Sequence, residues 1–321
     1  MKKTVVVLSQ LADDLVERMA AQFTVIRLED GADIAGALSA GPVHGVIGVG
    51  RRLGEEQLMG AADLEVVSSI SVGYDNYDLD YLNQRGIVLT NTPDVLTETT
   101  ADLAFTLILA TARRITELDA WLRAGHWQSA LGPELFGCDV HGKTLGILGM
   151  GNIGAAIARR GRFGFGMQVL YNSNSRKPAV EQELDASYRD FDALLQESDF
   201  LCVVVPLSEA TRKLIGQREL GLMKPSAILI NVARGPVVDE SALIEALKTG
   251  EIRAAGLDVY EREPLRTSPL FALENVVCVP HIGSATHETR RAMAELAVQN
   301  LELALAGEAP LHMVNPQVWK D

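Results

Sequence analysis

The sequence predicts two doubly wound α/β domains, each a parallel sheet with helices on both faces, and a cleft between the two. Three observations lead there. Short β-branched runs alternate with helical patterns along almost all 321 residues. The runs are apolar on both alternating faces, as strands covered from both sides must be. The length suits two domains of ordinary size, each able to bury its own core.

The elements follow in two series. Early strands are expected at "TVVVLS", "HGVIGV", "EVVSSIS" and "GIVLTN". A second series comprises "TLGILGM", "MQVLYN", "DFLCVVV", "AILINVA", "AAGLDVY" and "NVVCVPH". Between them "TETTADLAFTLILATARRITELDAWLRAG" reads as one helical link, with Thr97 as its cap and Gly125 as its stop. Its centre, Leu103 to Ala110, is apolar nearly all round and must be buried on more than one side. Its surplus apolar face is a candidate homodimer contact. The strand-like "APLHMVNPQVW" follows a long helical pattern, and a return to the first domain would explain it. The expected domains are therefore 1–98 with 288–321, and 99–287.

An apolar fraction of 47%, a charged fraction of 22% and a net charge of −13 describe a globular chain. That charge argues against nucleic acid or an anionic membrane as partner, since either rewards a basic face. Cys138, Cys202 and Cys278 are scattered, without metal-ligand spacing, and read as buried thiols in a reducing compartment. No cluster in the chain calls for a metal. After "MKKTVVVLSQ" acids follow within about one strand length, too soon for a signal peptide or spanning helix, so a cytoplasmic location is expected.

The run Gly149-Met150-Gly151-Asn152-Ile153-Gly154 joins an apolar strand to an amphipathic helix, with another strand beyond. A lone GxGxxG is weak; in this βαβ context it reads as a dinucleotide turn. Gly149 permits the tight turn, Gly151 lets a pyrophosphate approach the backbone, and Gly154 lets helix pack on strand. The helix N-terminus offers N–H groups to phosphates. Where NAD-binding units place a ribose-gripping carboxylate, this chain reads Asn172, Ser173, Asn174, Ser175, Arg176, Lys177. Either this is a polar surface loop without preference, or its donors and cations suit the 2′-phosphate of NADPH, which a carboxylate would repel.

Three further strands end in chemistry-bearing loops, where open α/β sheets bind their ligands. "INVARGPVVDE" presents Arg234, "AAGLDVYEREPL" presents Asp258 and Glu263, and "VCVPHIGSATHETR" presents His281. Singly, each has a plain structural explanation. Converging, an arginine, a carboxylate and a histidine would be an acid–base site with an anion clamp. His44, His126, His141 and His312 have no such setting and are left as structural.

The ordered set GxGxxG, "NVARGPVVDE", "GLDVYEREP" and "PHIGSAT", with "SVGYDN" and "TPDVLTETTAD" in the first half, resembles the D-isomer-specific 2-hydroxyacid dehydrogenase family over nearly the whole chain. Within it the chain most resembles bacterial glyoxylate/hydroxypyruvate reductases, which also act as 2-ketogluconate reductases. The resemblance implies two Rossmann-like/flavodoxin-like domains, 1–98 with 288–321 binding substrate and 99–287 binding NAD(P). It implies that His281 passes a proton to the substrate carbonyl oxygen as hydride arrives from the nicotinamide. Glu263 would orient the imidazole, and Arg234 would bind the substrate carboxylate and carbonyl. The N–H groups of Val72 and Gly73 would hold the same carboxylate from the other domain. Asp258 would contact the nicotinamide carboxamide, and Thr100, Pro206, Ser284 and the Val232-Ala233 backbone would line the cofactor cleft. NADPH is the expected cofactor, through Ser173, Asn174 and Arg176, with NADH as the second. Asn174 departs from the family's NADP pattern, in which an arginine often stands there. The implied partners are a small 2-keto or 2-hydroxy acid and a second copy of the chain. Rival readings are a phosphite dehydrogenase and, from another class, an NAD(H) sensor that binds partner peptides with the same fold.

Overall fold

The computed structural model describes residues 2–29 and 31–320. The chain forms two units, Met1–Leu96 with Thr286–Asp321, and Thr97–Ala285. Both crossings fall slightly before the expected 98/99 and 287/288, because Thr97 already opens one helix and Thr286 caps another.

The first unit runs β1 (Thr4–Val7), α1 (Asp13–Gln22), β2 (Thr24–Arg27), α2 (Ile34–Ser39), β3 (Gly45–Gly48), α3 (Glu55–Leu58), β4 (Val66–Ser69), α4 (Leu79–Arg85), β5 (Val88–Thr90). Asp33 and Asp78 begin α2 and α4 by accepting the N–H groups of Gly36 and Tyr81. The strands are all parallel in the order β2-β1-β3-β4-β5, a doubly wound order that reverses between β1 and β3. Val6, Val46, Val67 and Leu89 lie at the centre of its core.

The second unit contains α5 (Thr97–Ala112), α6 (Ile115–Arg123), β6 (Thr144–Leu148), α7 (Asn152–Arg159), β7 (Gln168–Asn172), α8 (Pro178–Leu184) and β8 (Ser187–Tyr188). There follow α9 (Phe191–Glu197), β9 (Phe200–Val203), α10 (Gln217–Leu222), β10 (Ile228–Asn231), α11 (Glu240–Thr249), β11 (Ala254–Leu257) and β12 (Val276–Cys278). The sheet order β12-β11-β10-β9-β6-β7-β8 is again parallel and reverses between β6 and β9. Alternation within β10 shows why Ile228, Leu229 and Ile230 are apolar in succession. Ile228 and Ile230 enter the core under α5 and α7, whereas Leu229 enters the core under α9, α10 and α11. The chain then returns to the first unit as α12 (His287–Ala306), where Ser68 Oγ donates to the Ala297 carbonyl at 2.8 Å.

Several expectations need correction. The sequence reading missed β2 and β8, both edge strands; β2 is largely exposed and β8 is two residues long, so neither shows an apolar run. The single link helix is two, broken where Arg114 turns left-handed (φ 54°) and its guanidinium grips Glu117. Thr97 is the first residue of α5, not its cap. The apolar side of α5 is mostly used inside its own unit, through Ala101, Ala104, Phe105, Leu107 and Ile108. Of the cysteines only Cys202 is buried; Cys138 and Cys278 are half-buried, and all three are free thiols. Burial pushes the Cys202 thiol up to about 12. Among the described residues no helix is long and apolar enough to cross a membrane.

The C-terminal segment forms no strand. It returns to β5 through an isolated bridge, Met313 to Thr90, and through Asn315. The fully buried Asn315 amide accepts the Leu89 N–H at 2.7 Å and donates to the Ile87 carbonyl at 2.9 Å. It thus closes the open edge of the sheet with side-chain hydrogen bonds. Asn315→Ala strands a buried donor and acceptor and is expected to destabilise the protein by about 2–3 kcal/mol. Urea unfolding followed by circular dichroism measures this; an unchanged midpoint would remove Asn315 from that role.

Candidate active site

At the end of β6 the chain turns at Gly149, whose φ of 105° suits glycine, and its N–H donates to the Asn172 carbonyl at 2.9 Å. A Cβ at Gly149 would stand 2.9 Å from the Val204–Val205 backbone, and one at Gly154 would stand 2.3 Å from the Gly149 carbonyl oxygen. At Gly151 an added Cβ meets nothing within 4 Å. The turn is thus closed behind and open in front, with Asn152 and Ile153 starting α7 beside it. That shape fits a dinucleotide's pyrophosphate, held by backbone N–H groups at a helix start. The exposed Pro206, just beyond the end of β9, follows the Val204–Val205 backbone on which Gly149 packs.

Buried Asn231, the last residue of β10, shapes the next loop: its Oδ1 accepts the Ala233 N–H and its Nδ2 donates to the Arg234 carbonyl. Val232 and Ala233 are buried there and Arg234 half-buried. Gly235 lies flat on the next loop, and a Cβ on it would fall 1.8 Å from the Tyr260 carbonyl carbon. A reciprocal pair joins the same two loops: Glu261 accepts the Glu240 N–H at 3.2 Å, and Glu240 accepts the Glu261 N–H at 3.1 Å.

Beyond β11, buried Asp258 accepts the N–H groups of Ile282 at 2.6 Å and Gly283 at 2.9 Å. Burial pushes its carboxyl above the usual range, although those two N–H groups and His281 act the other way. The Asp258 carbonyl also accepts the His281 N–H at 2.9 Å, which supports His281 in a left-handed conformation (φ 51°). Thr100, from α5, donates its hydroxyl to the Gly283 carbonyl at 3.1 Å, next to half-buried Ser284.

The His281 imidazole stands out into solvent, with Nδ1 2.6 Å from Glu263 Oε2. The other carboxylate oxygen of Glu263 accepts the Tyr260 N–H at 2.9 Å. Burial raises the Glu263 carboxyl, but the bonds from His281 and Tyr260 and the nearby charge of Arg234 outweigh it, and the net shift is downward. Glu263 is therefore an ionised acceptor that fixes the ring through Nδ1 and leaves Nε2 outward. The pair itself lines a cavity of ≈ 470 Å³ together with Tyr260, Leu265, Phe271 and Cys278.

Arg234, Asp258, Glu263, His281 and Thr100 thus share one end of one sheet. The Ser173–Arg176 loop follows β7: Ser173 Oγ donates to the Ser175 carbonyl at 2.6 Å, Asn174 is exposed, and Arg176 forms a bidentate pair with Glu181. Val72 and Gly73 belong to the other unit, in the loop after β4, where Asn91 Nδ2 donates to the Val72 carbonyl. His44, left as structural, accepts the Thr4 N–H on Nδ1.

Sequence reasoning missed the Glu240–Glu261 pair, the Tyr260 N–H and Glu181. For Glu181 the available signal was an acid in the first turn of a helix opening at Pro178, two residues after Arg176.

The arrangement is that of an NAD(P)-dependent oxidoreductase: a dinucleotide turn and an arginine–carboxylate–histidine set at the carboxyl ends of one parallel sheet. Residues 105–283 match the D-isomer specific 2-hydroxyacid dehydrogenase, NAD binding domain. The chain is 50% identical over 324 aligned residues to glyoxylate/hydroxypyruvate reductase B of Klebsiella pneumoniae, covering 99% of this chain and 100% of that one. It is also 50% identical to the enzyme of that name from Pectobacterium atrosepticum, covering 100% of both. An NADPH-dependent glyoxylate/hydroxypyruvate reductase from Sinorhizobium meliloti, solved with NADP and malonate, superposes with a TM-score of 0.88 at 35% identity, covering 100% of this chain and 99% of that one. The chain belongs to the D-isomer specific 2-hydroxyacid dehydrogenase family.

Gly235→Ala must part the Arg234 loop from the Tyr260–Glu263 loop. The expected result is a turnover at least about tenfold lower and a stability loss of about 1–3 kcal/mol. Steady-state kinetics and thermal unfolding check both, and wild-type values in each would show that the close approach is unimportant.

Proposed function

We propose that this protein is a reductase of small 2-keto acids (glyoxylate, hydroxypyruvate and 2-ketogluconate), making D-2-hydroxy acids with NADPH as preferred cofactor and NADH as the second. The observation that carries the reading is the 2.6 Å contact between His281 Nδ1 and Glu263 Oε2, with Arg234 on the neighbouring loop. The names of the relatives, half identical over the full length, support glyoxylate and hydroxypyruvate as substrates. The NADP complex of the Sinorhizobium enzyme and the absence of an acid from "YNSNSRK" itself support the choice of cofactor.

In this reading the substrate enters as an anion. Arg234 takes its carboxylate and carbonyl with a planar fork of donors. When bound, the reduced nicotinamide supplies the hydride. His281 gives the proton on Nε2 to the carbonyl oxygen, and in the reverse direction takes it back. Glu263, ionised, keeps Nδ1–H directed at itself, so that Nε2 alone faces the reacting oxygen. Asp258 and Thr100 hold the 281–283 backbone, and the Asp258 oxygens keep lone pairs for a carboxamide donor. The glycine turn, the Val232-Ala233 backbone, Pro206 and Ser284 line the cofactor's path. Exposed apolar side chains on and after α6 (Ile115, Leu122, Trp127, Leu131 and Phe136) give a second copy of the chain a surface to cover, which supports a homodimer.

The deciding experiment follows NADPH absorbance with each of the three keto acids and with buffer alone. Turnover with at least one is expected; bound cofactor without any turnover would overturn the enzyme reading. His281→Gln is expected to lower kcat by about 10²–10⁴-fold while leaving NADPH affinity within about twofold. A variant with wild-type turnover would remove His281 from proton transfer.

A further inference from the structure

The loop after β7 lacks an acid in sequence but meets one in space. Tyr171, buried in β7, accepts the Lys177 N–H on its hydroxyl oxygen at 2.7 Å and donates that hydroxyl to Glu181 Oε1 at 2.5 Å. The Glu181 carboxylate also receives both arms of Arg176, Nε on Oε1 at 3.0 Å and Nη2 on Oε2 at 2.6 Å. Glu181 is mostly covered, with 18% of its side chain exposed, whereas Arg176 is 67% exposed. The bond from Arg176, then that from Tyr171, holds the Glu181 carboxyl below its usual range, so both partners of the pair are charged at neutral pH. The other acids of α8 and its end face elsewhere: Glu183 pairs with Arg159, and Asp185 with Arg162.

A 2′-phosphate brings about −1.5 to −2 charges, for which a bidentate guanidinium is the best single partner in this loop. Arg176 already has its fork filled by a carboxylate that carries the opposite charge.

We propose that Glu181 is a specificity-determining residue: fixed by Tyr171, it holds Arg176 and offsets its charge, and so limits the preference for NADPH over NADH. A 2′-phosphate must draw Arg176 away from Glu181 or share it, while a ribose 2′-hydroxyl makes no such demand. The inference rests on the proposed cofactor site at the end of β7.

Glu181→Gln tests it, because glutamine keeps an acceptor for the Tyr171 hydroxyl and removes only the charge. Calorimetric titration with 2′,5′-ADP and with 5′-AMP reads the 2′-phosphate directly, without turnover. In Glu181→Gln the affinity for 2′,5′-ADP is expected to rise about three- to tenfold, with 5′-AMP within about twofold of wild type. The ratio of kcat/KM with NADPH to that with NADH rises by a similar factor. Glu183→Gln, which removes an equal charge paired elsewhere on the same helix, leaves all three values near wild type. Unchanged or weakened 2′,5′-ADP binding in Glu181→Gln overturns the inference, as does an equal gain in Glu183→Gln. Failure of both fragments to bind wild type, with the fold intact by circular dichroism, overturns the cofactor-site reading itself and the inference with it.

Discussion

The second unit depends on how a buried carboxylate ties two neighbouring strand ends together. Asp258, one residue past β11, accepts two N–H groups from the loop after β12, and its own carbonyl takes a third, that of His281. Without these bonds His281 has no reason to stay left-handed, a conformation that costs a non-glycine residue about 1–2 kcal/mol. The arrangement favours function over stability. Burial raises the Asp258 carboxyl above its unfolded value, so any stability it lends is present in acid and lost once pH has risen through the folded value. Burial thus works against the charge of the carboxylate whose bonds position the histidine.

Glu263 meets the opposite fate a few residues away. It too is opposed by burial, yet His281, the Tyr260 N–H and Arg234 together hold it ionised. Two acids with environments that push them in different directions can take different roles, one anchoring backbone and the other orienting an imidazole. Parallel neighbours lie about 4.8 Å apart, so the ends of β10, β11 and β12 bring their loops together without long connections. Gly235 and the Glu240–Glu261 pair then set the separation of those loops more finely than the sheet does.

Much of this is legible in sequence, and for a definite reason. Strands buried on both faces are mostly apolar, so β1, β3, β4, β6, β9, β10 and β11 announce themselves, while the edge strands β2 and β8 do not. The expected runs "DFLCVVV", "AILINVA" and "AAGLDVY" all extend past the ladder. β9 ends at Val203, β10 at Asn231 and β11 at Leu257, and the surplus residues become the loops that carry the site. Residue type, position in a loop past a strand and the ordered set of motifs together marked Arg234, Glu263 and His281. It could not reveal backbone donors such as the Tyr260 N–H, which any residue supplies, or the break at Arg114, where a charged pair replaces the usual glycine.

Glu181 shows the remaining difference between sequence and space. A scan for an acid at the end of β7 looks along the chain and finds none before Glu181, already inside α8. Pro178 starts that helix at once, and its first turn carries the carboxylate back over the loop, where the Tyr171 hydroxyl fixes it. Charge at a binding site is therefore not a sum over the residues of a motif. The six positions from Asn172 to Lys177 hold two cations and no acid, yet one of those cations is already neutralised by a neighbour outside them. What matters to an incoming phosphate is the charge left after such pairing, and that depends on a tyrosine and a helix start as much as on the arginine itself.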